Sequence, residues 1–394
     1  MLRREFLAVV TAAPAAAQTG PFGKLQEVPA AAPLRPDQDR GPLAGRRWRL
    51  RWMFDEEKRA ASIADFCCPA PGLAVAALQI EGDFRSQPAV VVTRDGGESW
   101  RQVELRDNPV SLYALNGAHL WLVGSKSLWY SAENGLEWTK RNLPKSGRKR
   151  PVYRVFFLDE NRGWAFGAGK VFHQTRDGGV TWSPVPESAE IRLTDENTAW
   201  TSMAFLDSKR GLITGFSSPQ RDEMRLPGWM APEQALRRRL VPATTVVGET
   251  HDGGASWKFS LTSAFGRVVR VRASGHTGLA ISRYGENFEF PGEVYALDFR
   301  TGGSRPVFRR RDLRVDDAAL LEGGAAVLAA IQPSGRLFDS PVPGRLRVFY
   351  STDLNEWAEM KVDYRAEGSA AFLSAPAPGE LWAATDSACV LRLV

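Results

Sequence analysis

The chain has 394 residues, 43% of them hydrophobic, and a formal charge of +6 from 51 basic and 45 acidic side chains. So evenly mixed a surface argues against a nucleic-acid-binding role, while the length fits two or three ordinary domains or one large all-β unit. The 13 Trp and 36 Gly favour the all-β unit, built of short strands, tight turns and aromatic packing between sheets.

Residues 1–17 place Arg3 and Arg4 ahead of a short Ala-rich run that ends in Ala15, Ala16 and Ala17. A basic start, a brief apolar stretch and a small-residue cleavage site resemble a twin-arginine export signal, so the protein is expected to be exported, to the periplasm or beyond. Pro14 interrupts the run, which is far shorter than the roughly 20 apolar residues needed to cross a bilayer, and no later stretch meets that length. Residues 18–45 are rich in Pro and Ala and are expected to be a linker, leaving 46–394 as a single folded domain. Cys67, Cys68 and Cys389 match neither a disulfide-rich scaffold nor a paired zinc motif. In an oxidising compartment one of the adjacent pair would bond Cys389; the alternative leaves three free, buried thiols.

An octamer then recurs: Thr93-Arg-Asp95-Gly-Gly97-Glu-Ser-Trp100, Thr175-Arg-Asp177-Gly-Gly179-Val-Thr-Trp182 and Thr250-His-Asp252-Gly-Gly254-Ala-Ser-Trp257. Degenerate copies end at Trp138 and at Trp357, the latter built on Asp353 and one residue short. The pattern suits a hairpin turn, because Asp accepts backbone N–H groups across it, Gly takes positive φ without steric cost, and Trp packs behind it. These aspartates are therefore expected to be structural, held apart around a ring. The closing tryptophans lie 38 residues apart from Trp100 to Trp138 and 44 from Trp138 to Trp182, one four-stranded blade each. The 75 residues from Trp182 to Trp257 fit a blade plus an insertion at 217–245, and the 100 from Trp257 to Trp357 fit two blades with a worn turn at 297–303. Beyond Trp357 three strands remain without a fourth, which the segment 48–54 would supply. The expected fold is an all-β, seven-bladed β-propeller, six and eight being the neighbouring counts, with the ring closed by the N-terminal strand and no exposed end blade.

The octamer resembles the Asp box, or BNR repeat, of sialidases, sortilin-type receptors and photosystem II assembly-factor-like proteins. The run Phe156-Phe-Leu-Asp-Glu-Asn-Arg-Gly-Trp-Ala-Phe-Gly167 followed by the box at Asp177, echoed at 204–215, is most similar to the photosystem II stability/assembly-factor propellers. That resemblance implies a non-enzymatic, partner-binding role. Sialidases would imply an arginine cluster, a Tyr–Glu nucleophile pair and an Asp acid, but their F/Y-R-I-P element has only a loose echo here in Phe84-Arg85-Ser-Gln-Pro88.

In a propeller the b–c and d–a connections share one face, and the long loops of this chain fall at b–c positions. Blade 4 carries Arg221, Arg225 and Trp229, with a short helix expected over 232–240; blade 5 carries Arg283, Tyr284 and Glu286; blade 6 carries Arg336 and Asp339; blade 1 carries Arg85. Arg85, Arg221, Arg225, Trp229, Arg283, Tyr284 and Arg336 form the candidate partner-binding set. Arg85, Arg283, Tyr284, Glu286 and Asp339 are the one loop-borne set able to build a glycosidase-like site, which needs two carboxylates about 5–9 Å apart. The basic runs 145–150 and 309–311 fall between blades and are expected to be exposed linkers. His119, His173, His251 and His276 are scattered, and the D-G-G glycines belong to turns rather than to a phosphate loop, so no metal and no cofactor is expected. The leading expectation is a monomeric, exported binding protein for a protein or glycan partner. A sialidase-type exo-glycosidase and a structural module of a cell-surface assembly are the alternatives.

Overall fold

The computed structural model describes residues 43, 45–82, 86–145, 150–218, 243–264, 266–284, 290–334 and 342–394. They form seven antiparallel sheets, each pairing strands a, b, c and d in order. The inner a strands of blades 1 to 7 are Ala60–Ala70, Pro109–Asn116, Val152–Phe157, Thr198–Phe205, Arg267–Ser274, Arg314–Leu320 and Ala371–Ala377. Each touches the next and the seventh touches the first, so the ring is closed. The only helices among the described residues are three short 3-10 turns.

Closure follows the chemistry of the C-terminal strands, which lack a fourth partner of their own. The segment Trp48–Met53 supplies strand d of blade 7, pairing Trp48 with Leu393 through to Met53 with Cys389. Trp48 is also held from its other side: its N–H donates to the Lys361 carbonyl at 3.0 Å and its carbonyl accepts the Asp363 N–H at 3.2 Å. Its indole is 1% exposed, with Nε1 3.4 Å from the Met360 sulfur.

The core consists of seven apolar clusters, each sandwiched between neighbouring blades. This arrangement explains why the b strands are apolar along most of their length, for both of their faces are covered. The box tryptophans complete these interfaces by packing onto the preceding blade: Trp100 on Trp382, Trp257 on Trp164 and Trp357 on Phe308, with ring centroids 6.4, 5.9 and 5.6 Å apart. Trp182 instead donates its Nε1 to the Asn142 carbonyl of blade 2. Cys67, Cys68 and Cys389 are free thiols in three different interfaces, so of the two cysteine readings the structure shows the unbonded one.

Every box lies in a c–d turn. In blade 4, Asp252 Oδ1 accepts the Thr250 hydroxyl and the Ser256 N–H, and Oδ2 accepts the Ser256 hydroxyl at 2.6 Å. The Thr250 hydroxyl in turn accepts the Gly254 N–H, whose φ of +85° is open to glycine at little cost. The short copy substitutes Leu354 at φ +61° and keeps Ser351 and Asp353 as turn acceptors. The worn turn at 297–303 retains Asp298, which accepts the Arg300 N–H.

These turns carry an acid sensitivity. The Ser256 hydroxyl and N–H hold Asp252 at about 2; at Asp177 burial pushes upward, but hydrogen bonds from Thr181 and Thr175 outweigh it and leave it at about 2. Both values lie below the ordinary 3.8, so the stabilisation is present above that value and is lost as the pH falls toward 2. Between about pH 4.5 and about pH 2.5 the urea midpoint of the wild type should therefore fall further than that of an Asp177→Asn/Asp252→Asn variant. Parallel slopes in the two proteins would contradict this assignment.

Candidate functional site

The b–c and d–a connections gather on one face and the Asp-box turns on the other. Of the candidate residues, Arg85, Arg221, Arg225, Trp229, Glu286, Arg336 and Asp339 lie outside the described residues, as does the helix expected over 232–240. Arg283 and Tyr284 are described, and the end of their strand sends them in opposite directions. Arg283 reaches blade 6, where Nη2 donates to Asp316 Oδ1 at 2.6 Å. Tyr284 turns into its own blade and donates its hydroxyl to Glu293 Oε2 at 2.8 Å. Glu293 also accepts the Tyr295 hydroxyl, and its Oε1 accepts Arg309 Nη1 at 2.9 Å. Burial and the Glu293 charge push the Tyr284 hydroxyl well above its ordinary range, a setting that favours a neutral donor over a nucleophile. The structure thus gives Arg283 and Tyr284 separate acidic partners.

The run 309–311 differs from its sequence reading as an exposed linker. Arg309 and Arg310 are only 12% and 18% exposed along their side chains, because each has a carboxylate and an aromatic ring to lie against. Arg309 stacks on Phe290 while bonding Glu293, and Arg310 grips Asp312 with two hydrogen bonds beside Phe349. Arg311 remains exposed, as does Arg150 at the end of the other basic run.

The a strands bring together charges that sequence reasoning did not single out. In six of them the pairing slips by one residue at the same level, just before Asp65, Ser111, Arg154, Ser202, Arg270 and Asp317. Such bulges turn backbone and side chain out of the regular ladder, here into the next blade. Asp65 accepts the Leu112 N–H, the Ser202 hydroxyl accepts the Val271 N–H, and Asp317 accepts the Leu373 N–H. Asp316, one step higher, accepts the Ala371 N–H while its other oxygen takes Arg283 and Arg314.

Around the axis three arginines meet two aspartates. Arg154 lies 3.4 Å from Asp65, Arg270 lies 3.4 Å from Asp317, and Arg272 grips both oxygens of Asp317 at 2.9 Å. Burial raises the Asp317 carboxyl, but Arg270 and Arg272 outweigh it and the net shift is downward. Arg270 moves the other way: burial, helped by Arg154 and Arg272, brings its guanidinium down to about 10 against the pull of Asp317. Among the described residues the inner ring therefore holds three arginines against two carboxylates, and Arg283 and Arg314 both reach Asp316 toward the b–c mouth. Among the described residues no three His, Cys, Asp or Glu side chains converge to hold a metal ion, and no helix is long and apolar enough to cross a membrane.

No protein-family model matches the chain. A curated relative, the photosystem II assembly lipoprotein Ycf48 of Synechococcus sp. (strain CC9902), is 26% identical over 185 residues, which span 45% of this chain and 44% of the relative. The chain resembles the photosystem II assembly propellers. The similarity thus reaches less than half the length of that relative. A solved structure of YCF48 bound to D1 peptide superposes with a TM-score of 0.56 at 14% identity, covering 94% of this chain and 99% of that one. The GH74 xyloglucanase of Xanthomonas campestris superposes almost as well, at a TM-score of 0.55 and 13% identity over 88% of this chain and 53% of the enzyme. Likeness at this level shows the propeller fold, which carries both binding proteins and enzymes.

Proposed function

We propose that the chain is an exported, non-catalytic, assembly-factor-like propeller that binds a protein partner through its b–c loop face and the mouth of its inner ring. The observation that carries this reading is the arginine-rich inner ring: Arg154, Arg270 and Arg272 face only Asp65 and Asp317 among the described carboxylates, and Arg283 reaches Asp316 beside them. A partner segment bearing carboxylates would complete that balance, and charge complementarity of this kind sets partner choice and association rate. Support of a different kind comes from the propeller of the same fold that is bound to D1 peptide. The loop residues Arg85, Arg221, Arg225, Trp229 and Arg336 would add contacts from the same face, with Trp229 as an apolar anchor.

The test is capture of the partner from the exported fraction by the wild type and by a Trp229→Ala/Arg221→Ala/Arg283→Ala variant of preserved fold. Capture should fall at least about tenfold in the variant, as loss of a central anchor implies, and should weaken with added salt in the wild type. Undiminished capture would remove the loop-face reading. Export itself is tested at the other end of the chain, where replacing Arg3 and Arg4 by lysine should leave the full-length precursor inside the cell. Normal export of that variant would contradict a twin-arginine route.

A further inference from the structure

We propose that the outer strand of blade 4, Lys258–Ala264, pairs with the same strand of a second copy of this chain, joining two blade-4 sheets across a two-fold axis at Leu261. The inference rests on the seven outer edges of the ring, independently of the partner-binding face. An outer strand presents unpaired backbone N–H and C=O groups, and folds that stay apart blunt such edges by shortening them, charging them, interrupting them or covering them.

Six edges are blunted in these ways. Blade 1 ends in four residues with Arg101 and Glu104, blade 2 in three with Lys140 and Arg141, and blade 3 in the pair Ser183–Pro184. Pro306 and a register slip break the blade 5 edge. In blade 6 the last strand has three residues, and the chain itself adds Glu367–Gly368 beside strand c. The blade 7 edge carries Arg49 and Arg51 and is covered at Trp48 by a parallel bridge to Val362.

In blade 4 the covering is confined to the start of the strand, where the 3-10 turn Pro186–Glu190 lies alongside and Glu187 accepts the Trp257 N–H. This outer strand runs seven residues in unbroken register with strand c, from Lys258 opposite Glu249 to Ala264 opposite Ala243. Its one charged residue stands at its end, it contains no proline, and among the described residues no further backbone segment pairs with its outer side. Leu261, the middle residue, is 42% exposed, whereas Phe259 is packed on Trp200 of its own blade and Phe172 of blade 3.

A second copy fits this edge because the strand is self-complementary. Antiparallel pairing centred on Leu261 sets Leu261 against Leu261 of the second copy and Ser260 against Thr262, and it keeps the two Lys258 residues at opposite ends. Directly opposed side chains on neighbouring strands lie about 4.5–5.5 Å apart, close enough for the leucines to cover one another. The contact is isologous and closes at two copies. It replaces the monomer expected from sequence with a reversible dimer of modest strength, since one strand pair buries little area.

Sedimentation velocity on the mature chain tests this directly. The wild type should move from one copy to two as its concentration rises to about 100 µM, a range suited to a small interface. Leu261→Lys and Leu261→Glu should each remain monomeric with unchanged thermal unfolding, because each places like charges on the axis. Mixed in equal amounts, the two variants should dimerise again, with Lys of one copy facing Glu of the other. A wild type that stays monomeric across the range, a dimer that survives Leu261→Lys, or a mixture that fails to re-associate would each overturn the proposal.

Discussion

Replacing Trp48 by alanine is expected to cost about 3–5 kcal/mol, the range for removing a fully buried aromatic side chain. The cavity opens at the seam where the two ends of the chain meet, between Met360 and the strands of blade 7. The Trp48 backbone bonds Lys361 and Asp363 on one side while its strand pairs with Cys389–Leu393 on the other. Urea unfolding followed by tryptophan fluorescence measures the change. A second variant with residues 46–53 deleted separates closure from packing: it should lose cooperativity altogether as blade 7 is left with three strands. Wild-type stability in the deletion variant would show that another segment closes the ring.

A comparable loss is expected at Asp317, on the opposite side of the fold's logic, where charge rather than apolar area is buried. Removing one member of a buried ion-pair network costs about 3–5 kcal/mol because its partners stay behind uncompensated. Asp317→Ala would strand Arg270 and Arg272 and leave the Leu373 N–H without its acceptor, loosening the contact among blades 5, 6 and 7. Asp317→Asn, which keeps an acceptor for Leu373 but removes the charge, should recover part of the loss. If both variants unfold together with the wild type, the inner ring does not brace the fold electrostatically.

Much of this fold was legible in the residues, and the reason is local. An Asp box works through contacts within eight residues, so Asp95, Asp177 and Asp252 announce their turns wherever they occur, and regular intervals between the tryptophans translate into blades. The closing strand was legible by counting, since three strands after Trp357 require a fourth. The inner ring was not. Arg154, Arg270 and Asp317 come from three different blades, and they meet only because each a strand bulges at the same level. A signal was present in the charged residues of otherwise apolar strands, as in Arg267–Ser274 and Arg314–Leu320, but a lone arginine on a strand looks the same whether it faces water or an axis. For the same reason Arg309 and Arg310 looked like a solvated run, their partners Glu293, Phe290 and Phe349 lying on other strands and loops. The residue pair Arg283 and Tyr284 shows the limit from the opposite direction, because adjacency in sequence suggested a shared site and strand geometry separates them.

Partner binding at the b–c loop face predicts which side of the ring a bound partner touches. A photo-crosslinking amino acid placed at Lys126, exposed in the b–c turn of blade 2, reports on the b–c face; the same group at Val180, 52% exposed in a box turn, reports on the other. In cells making the chain, the probe at 126 should yield a discrete adduct and the probe at 180 none. An adduct from 180 alone would place the partner on the Asp-box side and contradict the account.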